Sequence, residues 1–453
     1  MLAAGEALGA PPAERTVLGD LRAAYGPYVR EDAFGFAAKV SAMRGGAYKF
    51  WRGSKDDFFV WVKGQRPGWF TDAGTFVLQH ADVHLGNTGS YLTEARGGTL
   101  AYGLVDFDDS ASVPAGIEAL ECLITLRELA ADKFIVQTRE QAAAVDGAFA
   151  GAYREGLTSG KTANELLRDD PWVSEAMKKG GKAKAYGKMV EKMTSGGKFV
   201  AVKAGEMEGA PPKEILVPMT GADDPTAGEV AAGLAGMLAE QPALRGLFSV
   251  RSAAGLQGAI KDMGRRVHLT SAGSQGQEKY LVLLDKSAGT LGSDFVIYLK
   301  REIPTAAERA VGVKPTAANP AERLVRDAWA LTDPAVGDYG WARVHGEDFL
   351  VTLHEPWTED GDPDVVGTEA DLVHAARVLG ACAGASHGRA GAAAREALAG
   401  CCAGERFEEL RGLADGYAGR LKERFAAFVG DPAVTALAEE AREAVEAFAR
   451  AHG

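Results

Sequence analysis

The chain has 453 residues, of which 46% are hydrophobic and 25% are charged. This composition is typical of a globular protein and excludes a fibrous or disordered chain, and the length exceeds the roughly 250 to 300 residues at which one core usually stops growing. Fifty basic and 62 acidic side chains give a net charge of -12, which argues against nucleic acid or an anionic membrane as a partner. We therefore expect a folded protein of at least two lobes.

Cysteine usage and the N-terminal residues favour a cytoplasmic location. Cys122, Cys382 and the adjacent Cys401 and Cys402 show no CxxC spacing, so neither a disulfide framework nor a zinc site is indicated. The first residues lack a basic region followed by an apolar stretch, and no run of about 18 apolar residues could span a membrane. The sequence gives no indication of the oligomeric state.

In the first half of the chain, helical and strand patterns alternate. Apolar residues at helical spacing predict helix between residues 14 and 43, and helices are predicted again over residues 114–157. Residues 158–225 are interpreted as a polar connecting region. Three apolar runs have the length and composition of strands: 58–62, 75–79 and 101–105.

A second strand-rich block extends from about residue 264 to residue 355. It is predicted to form a five-stranded antiparallel sheet with one helix at 320–332. From Asp371 to the end, Ala-rich segments of period 3.6 predict three or four helices. The chain is therefore assigned to the α+β class.

The strongest signal for chemistry is the segment HADVHLGN at residues 80–87, which directly follows a predicted strand. Phosphoryl transfer needs a carboxylate that orients the attacking hydroxyl and accepts its proton, and oxygen ligands that hold magnesium against the phosphates. Asp82 and Asn87 supply these two groups. Asp106 follows the next predicted strand, 19 residues after Asn87. It is the expected second ligand, because magnesium binds few carboxylates together with phosphate oxygens and water.

Other interpretations of these residues remain open. A polar turn without metal would carry the same residues, and so would a zinc site made by His80, Asp82 and His84. Zinc normally takes a closed tetrahedral set of nitrogen and sulfur ligands, or three ligands and an open position. Asp108 is a supporting candidate for the site or a helix cap, and Asp109 is expected to cap the helix that follows.

A glycine-containing turn and a strand lysine form the candidate phosphate-binding region. Gly273, Ser274 and Gly276 lie between two predicted strands, where a turn can direct backbone amides onto phosphates. Lys300 ends the next strand, and the following helix offers Glu322 as its partner, with Glu302 and Glu308 as alternatives. Each feature alone is more often an ordinary hairpin or a solvated edge residue, but together they occur in the order of the phosphate-binding half of a kinase.

These motifs resemble those of known families. HADVHLGN at 80–87 and VDFDD at 105–109 resemble motifs of aminoglycoside and choline kinase-like phosphotransferases, but here the glycine turn follows the catalytic loop by about 190 residues. That inverted order resembles an uncharacterised bacterial kinase-like family, domain of unknown function 2252. Further matching motifs are FWRGS at 50–54, KMTSGGKFV at 192–200, SAGSQG at 271–276, YLKRE at 298–302, GWARVHGEDFLV at 340–351 and SHGRAG at 386–391.

The resemblance implies a protein-kinase-like, two-lobed fold in circularly permuted order, with a small antiparallel sheet lobe and a larger helical lobe. Residues 1–225 would form the first part of the helical catalytic lobe, with the catalytic and metal-binding loops. Residues 226–360 would form the nucleotide-binding lobe, and residues 361–453 would add the helices that complete the catalytic lobe.

The resemblance also implies roles for individual residues. Asp82 would be the catalytic-loop acid, Asn87 and Asp106 the metal ligands, and Lys300 with the glycine turn the phosphate contacts. A hinge that contacts adenine is expected near Leu353 and Glu355. Arg52 also matches the family pattern and is expected to be a phosphate ligand or part of a structural ion pair. His84 favours small-molecule kinase relatives, and His387 is expected to cap or pack a helix. The chain departs from the family pattern at three positions, where a glycine, a glycine and an arginine are replaced by Ala81, Ser271 and Glu278.

The expected activity is ATP-dependent, magnesium-assisted transfer of a phosphoryl group to a hydroxyl of an unidentified acceptor, expected to be a small molecule. Nucleotide and acceptor are the expected partners. Two alternatives remain: nucleotidylyl transfer on the same fold, which would release pyrophosphate, and a catalytically silent nucleotide-binding scaffold.

Overall fold

The structure is a computed structural model that describes residues 16–71, 75–93, 99–181, 186–203, 214–219, 221, 223–242, 244–268 and 273–452. Over these residues the chain has a mixed α+β fold with one seven-stranded antiparallel sheet and three two-stranded sheets. Its buried apolar side chains form two clusters. No helix among the described residues combines the length and the hydropathy needed to cross a membrane.

The first part of the chain carries helices and two short antiparallel strand pairs, β1 with β4 and β2 with β3. The elements are α1 (Val17–Tyr25), α2 (Phe36–Met43), α3 (Ala47–Gly53), α4 (Lys55–Gln65), β1 (Phe76–Gln79), β2 (Thr88–Leu92), β3 (Leu100–Leu104), β4 (Ala111–Pro114), α5 (Ile117–Asp132) and α6 (Arg139–Ser159).

The middle of the chain forms the large sheet, whose strand order is β12-β13-β11-β10-β9-β8-β7. The elements are α7 (Ala163–Leu166), α8 (Pro171–Gly181), α9 (Tyr186–Met193), β5 (Thr194–Ser195), β6 (Lys198–Phe199), β7 (Val202–Lys203), β8 (Glu214–Pro218), α10 (Ala227–Glu240), α11 (Ala253–Ala259), β9 (Ile260–His268), β10 (Lys279–Leu284), β11 (Phe295–Arg301), α12 (Ala306–Val311), α13 (Pro320–Leu331), β12 (Gly340–Val344) and β13 (Glu347–Leu353).

Four helices close the chain. They are α14 (Glu369–His387), α15 (Ala392–Cys401), α16 (Gly404–Gly430) and α17 (Pro432–His452). Their apolar side chains join those of α1 to α6 in the first buried cluster. Helices from both ends of the chain therefore share one core, and the second core lies on the large sheet and helices α9, α10 and α11.

Several predicted elements are confirmed. Strands occur at 76–79 and 100–104, and helices at 117–132 and 139–159. The five strands expected in the second block are present as β9 to β13, and α13 lies where the helix at 320–332 was predicted. Between residues 16 and 43 the predicted helix is two helices, because residues 26–35 form turns between α1 and α2.

The strand predicted at 58–62 is wrong, because these residues lie in α4. Phe58, Phe59 and Val62 are buried, whereas the side chain of Val60 is 55% exposed. Exposure at Val60 breaks the alternation of a strand, and the buried positions share one helix face. Asp56 and Asp57 in the first turn favour a helix start through the helix dipole.

The large sheet also has two strands more than predicted. β8 pairs with β9 over its full length, with Ile215 opposite Val267, and β7 pairs with β8. Both strands come from the stretch interpreted as a polar connecting region. Ile215 is fully buried, so this short apolar segment is part of the second core and not a linker.

Candidate active site

The segment 80–87 links β1 to β2 and is held by buried side chains beneath it. Ala81 has a φ of 57°, a left-handed conformation that costs a non-glycine residue about 1 to 2 kcal/mol. Glu118, at the start of α5, is fully buried, and its Oε2 accepts hydrogen bonds from the amides of His80 at 2.6 Å and Ala81 at 3.4 Å. The carboxylate therefore supports the strained turn that presents Asp82, where the family pattern has a glycine in place of Ala81.

His387 reaches this support from the other end of the chain. Its Nε2 lies 3.4 Å from Oε1 of Glu118, and its Nδ1 is 2.7 Å from the hydroxyl of Tyr153. The expectation that His387 packs at a helix end is confirmed, since it is buried in the last turn of α14. The structure adds that this histidine contacts the Glu118 carboxylate, which supports the segment 80–87.

Asp82 faces a buried lysine from α4. Nζ of Lys55 lies 2.8 Å from Oδ1 of Asp82 and 3.3 Å from Oε1 of Glu121. Burial raises the pKa of Asp82, and Lys55 acts in the opposite direction. Burial also raises the pKa of Glu121, to about 8. For Lys55 itself burial alone would lower the pKa, but the Asp82 and Glu121 carboxylates raise it above its ordinary value. Lys55 is therefore a fixed cation beside Asp82.

Asn87 connects Asp82 to the second loop. Its Nδ2 donates to the backbone oxygen of Asp82 at 3.0 Å and to Oδ2 at 3.2 Å, and its backbone oxygen accepts from the amide of Val105 at 2.9 Å. With the amide nitrogen so used, the side-chain oxygen accepts no hydrogen bond from the residues that the structure describes. That oxygen is a suitable ligand for a hard cation.

Asp106 follows Val105 with a φ of 60°, and its side chain is 46% exposed. Partial enclosure opposes its ionisation, but the Lys300 ammonium lowers the pKa of Asp106 below its ordinary value. An ionised carboxylate and a free amide oxygen on adjacent loops fit magnesium, which keeps several water or phosphate ligands. Among the described residues no three His, Cys, Asp or Glu side chains are arranged to hold a metal.

Lys300 pairs with the second loop and not with a glutamate. Its Nζ donates to Oδ1 of Asp106 at 2.9 Å and also to Oδ1 of Asp108. Burial opposes the charge on Lys300, but these carboxylates raise its pKa well above the ordinary value. Asp108 is the more buried of the two, and burial and the neighbouring Asp106 raise the pKa of Asp108 to about 7. One loop of the first part and a strand of the second therefore meet at one ammonium group.

The expected partner Glu322 lies elsewhere. Its Oε1 is 2.5 Å from Nη2 of Arg326 one turn further along α13. Neither Glu302 nor Glu308 forms an ion pair with Lys300 within the described part of the chain. Burial raises the pKa of Glu302 well above its ordinary value. The assignment of Glu322 as the acid of the phosphate-binding half is corrected accordingly.

Helix α13 nevertheless reaches the second loop, through an arginine. Arg323 is 1% exposed, and its Nη2 donates to the backbone oxygen of Asp108 at 2.7 Å while its Nη1 donates to that of Ser110 at 2.6 Å. Asp109, expected to cap α5, caps α12 instead, because its Oδ1 accepts from the amide of Ala306 at 2.7 Å. The loop that carries Asp106 is thus fixed by two helices of the second half.

The glycine turn is described from Gly273 onward, and Ser271 lies outside the described residues. Lys39 donates from Nζ to the oxygen of Gly273 at 2.7 Å, and Lys279 donates from Nζ to Oγ of Ser274 at 2.7 Å. Gly276 has a φ of 87°, and a Cβ there would lie 2.9 Å from the oxygen of Gly35. Only glycine fits that position, because both the conformation and the close approach exclude a side chain.

Two charged side chains beside the turn, Glu278 and Lys279, each lie next to another charged group. Glu278, which stands where the family pattern has an arginine, accepts from Nε of Arg30 at 3.0 Å, so its negative charge is neutralised. Lys279 lies directly opposite Lys300 across β10 and β11. Burial, followed by repulsion from Lys300, lowers the pKa of Lys279 to about 7. An arriving phosphate would favour its charged form.

The predicted hinge lies at the end of β13. Leu353 is buried opposite Ile297 of β11. The carboxylate of Glu355 accepts from the amide of Trp357 and from the hydroxyl of Thr358, so it stabilises its own turn. Beside it the hydroxyl of Tyr186 accepts from the amide of Val296 at 2.9 Å and donates to the oxygen of His354 at 3.0 Å, which joins α9 to the hinge.

The two histidines of the segment 80–87, His80 and His84, have different environments. His80 shares a 2.8 Å hydrogen bond between its Nε2 and the oxygen of Val105, and its ring packs on Phe107 at 4.9 Å. Nε2 of His84 lies 3.7 Å from Oδ2 of Asp82. Burial and the nearby Arg52 lower the pKa of His84 well below its ordinary value, so its imidazole is neutral.

A cleft lies between the two loops and the glycine turn. Its walls include Arg52, Asp82, Asp106, Asp108, Gly273 and Ser274. The enclosed cavity volume is about 30 Å³, which is room for a water molecule or two. Pockets that bind drug-sized ligands have volumes of about 300 to 1,000 Å³. Binding of a nucleotide would therefore require the walls of this cleft to separate.

Three residues with evident roles in the cleft were not singled out from the sequence. Lys55, Lys279 and Arg323 are 1%, 6% and 1% exposed. Lys55 directly follows the motif FWRGS, and Lys279 follows the glycine turn at the start of a strand. These positions next to recognisable motifs could have identified the two lysines from the sequence. No local pattern marks Arg323, because its contacts lie more than 200 residues away.

A family model described as "Uncharacterized protein conserved in bacteria (DUF2252)" matches residues 33–431. No curated protein and no solved structure matches the chain.

Proposed function

The chain belongs to the DUF2252 family of uncharacterized proteins conserved in bacteria, and we propose that it is an ATP-dependent phosphotransferase with a permuted, protein-kinase-like fold. The observation that carries the proposal is the 2.9 Å contact between Lys300 and Asp106, which are 194 residues apart. A kinase site needs a strand lysine for the nucleotide phosphates and a carboxylate for the metal within reach of one nucleotide. The permuted fold is proposed because the catalytic loops precede the sheet that carries this lysine.

Asp82 would act on the acceptor. Its carboxylate accepts the proton of the acceptor hydroxyl while the hydroxyl oxygen forms a bond to the γ-phosphorus of ATP. The bond from that phosphorus to the bridging oxygen breaks, and ADP leaves with the electron pair. Lys55 opposes the effect of burial, which raises the pKa of Asp82. Asn87 holds the carboxylate through its Nδ2.

The opposite wall would hold the phosphates. Lys300 and Lys279 supply positive charge, and the turn at 273–276 supplies backbone amides. Asn87 and Asp106 would hold magnesium, which when bound neutralises phosphate charge. Lys300 would then exchange part of its contact with Asp106 and Asp108 for phosphate oxygens. Adenine is placed near Leu353 at the hinge, where buried apolar side chains of β11 and β13 meet.

Product analysis tests this proposal. The purified protein is incubated with magnesium, ATP labelled at the γ-phosphate and a bacterial small-molecule extract, and wild type is compared with Asp82→Asn. We expect ADP and a labelled small molecule from wild type only. Pyrophosphate in place of ADP would identify nucleotidylyl transfer, and nucleotide binding without any turnover would identify a silent scaffold. Either result contradicts the proposed reaction.

A further inference from the structure

We propose that Arg52, Tyr48 and His84 form an anion-binding subsite beside Asp82, and that the acceptor therefore carries a carboxylate or phosphate group as well as its hydroxyl. The inference rests on the phosphotransferase function proposed above. It concerns a part of the cleft that neither the metal nor the nucleotide phosphates require.

Arg52 is a half-buried cation of the cleft wall that acts electrostatically on Asp82 and Asp360 without a direct ion pair to either. Helix α3 places it among the residues that line the cleft together with Asp82 and Asp106. It forms no ion pair or hydrogen bond with any residue that the structure describes, and its Nε is buried without a partner. By contrast Arg309, on the same cleft, pairs with Asp56, and Lys300 pairs with Asp106. An enclosed charge without a partner is unfavourable, so Arg52 is suited to receive an anion from outside.

Tyr48 and His84 extend this unpaired region. Tyr48 is 5% exposed and His84 is fully buried, yet the Tyr48 hydroxyl and both ring nitrogens of His84 have no hydrogen-bond partner among the described residues. Their rings meet edge to face at 6.3 Å. Burial raises the pKa of Tyr48 to about 12, so its hydroxyl stays a donor at neutral pH, and the neutral imidazole of His84 offers one more N–H.

Gly86 packs closely against His84 and Arg52. A Cβ at position 86 would lie 3.2 Å from Cε1 of His84 and 3.9 Å from Nη1 of Arg52. The absence of a side chain at position 86 therefore lets the loop approach both His84 and Arg52.

The position of the subsite favours the acceptor over the nucleotide as the source of the anion. Arg52 and Asp82 lie on the same wall, and Asp82 is the group that would contact the acceptor hydroxyl. The nucleotide phosphates already have Lys300, Lys279 and the glycine turn on the other wall. A planar guanidinium binds carboxylate and phosphate through two parallel hydrogen bonds, so it would orient a hydroxyl on the same molecule towards Asp82.

The experiment uses inorganic phosphate as the probe in isothermal titration calorimetry. The full-length protein is titrated alone and in the presence of saturating Mg²⁺ and a non-hydrolysable ATP analogue whose γ-position is filled. The variants are Arg52→Met, Arg52→Lys and Tyr48→Phe. The control is Arg377→Met, which removes the same charge from an exposed position on α14. Circular dichroism melting curves establish that each variant is folded.

We expect wild type to bind phosphate with and without the analogue. Arg52→Met should weaken the affinity by about tenfold or more, since a hydrogen bond to a charged group contributes about 1.5 to 3 kcal/mol. Arg52→Lys should bind with intermediate affinity because it keeps the charge but loses the planar fork. Tyr48→Phe, which removes only one hydroxyl, should weaken binding several-fold, and Arg377→Met should leave it unchanged.

Equal phosphate affinity in wild type and Arg52→Met would overturn the subsite. Loss of phosphate binding when the analogue is present would overturn the acceptor assignment, because Arg52 would then serve the γ-phosphate. Failure of the phosphotransferase proposal has a different signature: Arg52-dependent phosphate binding persists, but the ATP analogue itself does not bind.

Discussion

The two walls of the cleft differ in how their polar groups are held. On the wall that carries Asp82, the partners are buried helix residues of the same core, namely Lys55, Glu118 and Glu121. On the wall that carries the glycine turn, Lys300 is held by Asp106 and Asp108 from across the cleft. Asp82 on the first wall has its partners without a ligand, whereas the cation of the second wall is held by carboxylates of which one is the expected metal ligand.

This difference predicts which contacts a bound ligand would replace. Magnesium and nucleotide would each replace half of the Lys300–Asp106 contact, because the metal needs the carboxylate and the phosphates need the ammonium. Asp82 and Asn87 need no such exchange. Substitutions on the first wall should therefore affect turnover and folding, and those on the second wall should affect nucleotide affinity.

The largest effect is expected for Asp82→Asn. The amide has nearly the same shape but cannot accept a proton, and general base catalysis contributes about 100- to 10,000-fold. We expect kcat to fall by about that factor while KM for ATP changes little, measured by steady-state formation of ADP. The exposed Asp169→Asn is the matched control. A kcat for Asp82→Asn within threefold of wild type would exclude Asp82 as the base.

Lys55→Met should lower the free energy of unfolding by about 3 kcal/mol, because breaking a buried ion pair leaves carboxylates without compensation. It should also change the pH dependence. Burial already raises the pKa of Asp82, and Lys55 opposes this, so without Lys55 the pKa rises further. Activity requires ionised Asp82, and its loss on acidification should therefore begin at a higher pH.

Urea denaturation and pH–rate profiles measure these two effects, with the exposed Lys188→Met as control. Glu121→Gln in the Lys55→Met background should recover part of the stability, since it removes a second buried carboxyl group. An unshifted pH profile in Lys55→Met would show that Lys55 does not act on Asp82.

Lys300→Met tests the second wall. We expect the affinity for ATP with magnesium to fall by about tenfold to 100-fold, the value of one or two charge-assisted hydrogen bonds. The pKa of Asp108, already raised to about 7, should rise further without the ammonium. Calorimetric titration of ATP measures the affinity, and nuclear magnetic resonance of the carboxyl carbon measures the pKa. Unchanged ATP affinity would remove Lys300 from the nucleotide site.

Glu322→Gln should have the smallest effect. Its partner Arg326 is 62% exposed, and exposed ion pairs contribute about 0 to 1 kcal/mol. We expect ATP affinity within twofold of wild type and little change in the urea midpoint. A tenfold loss of ATP affinity would restore Glu322 as the acid of the phosphate-binding half and contradict the corrected assignment.

The sequence identified the first wall because its groups are local. Asp82 and Asn87 are five residues apart on one loop. Asn87 precedes β2 and Asp106 follows β3, and these two strands pair with each other, so short-range geometry brings the three residues together. The strands β9 to β13 were predictable from runs of apolar and β-branched residues between turn signals, and Lys300 from its position at the end of one of these runs. The partner of Lys300 was not, because it depends on how two distant parts of the chain pack.

Local patterns also failed where packing decided the outcome. The apolar run in α4 has strand composition, but burial of Phe58, Phe59 and Val62 on one face makes it a helix. β8 lies in a polar stretch and becomes a strand because the edge of β9 is available. Lys55 and Arg323 acquire their roles only through contacts between helices and loops far apart in sequence.

Thermal unfolding with ATP, with Mg²⁺ and with both together tests the central claim most directly. The comparison is wild type against Asp106→Asn, because asparagine tolerates the left-handed backbone at this position. A ligand at 100 times its dissociation constant stabilises by about 2.7 kcal/mol. The account predicts a rise in Tm that requires both ATP and Mg²⁺ and is lost in Asp106→Asn. No rise in wild type at millimolar nucleotide would contradict it.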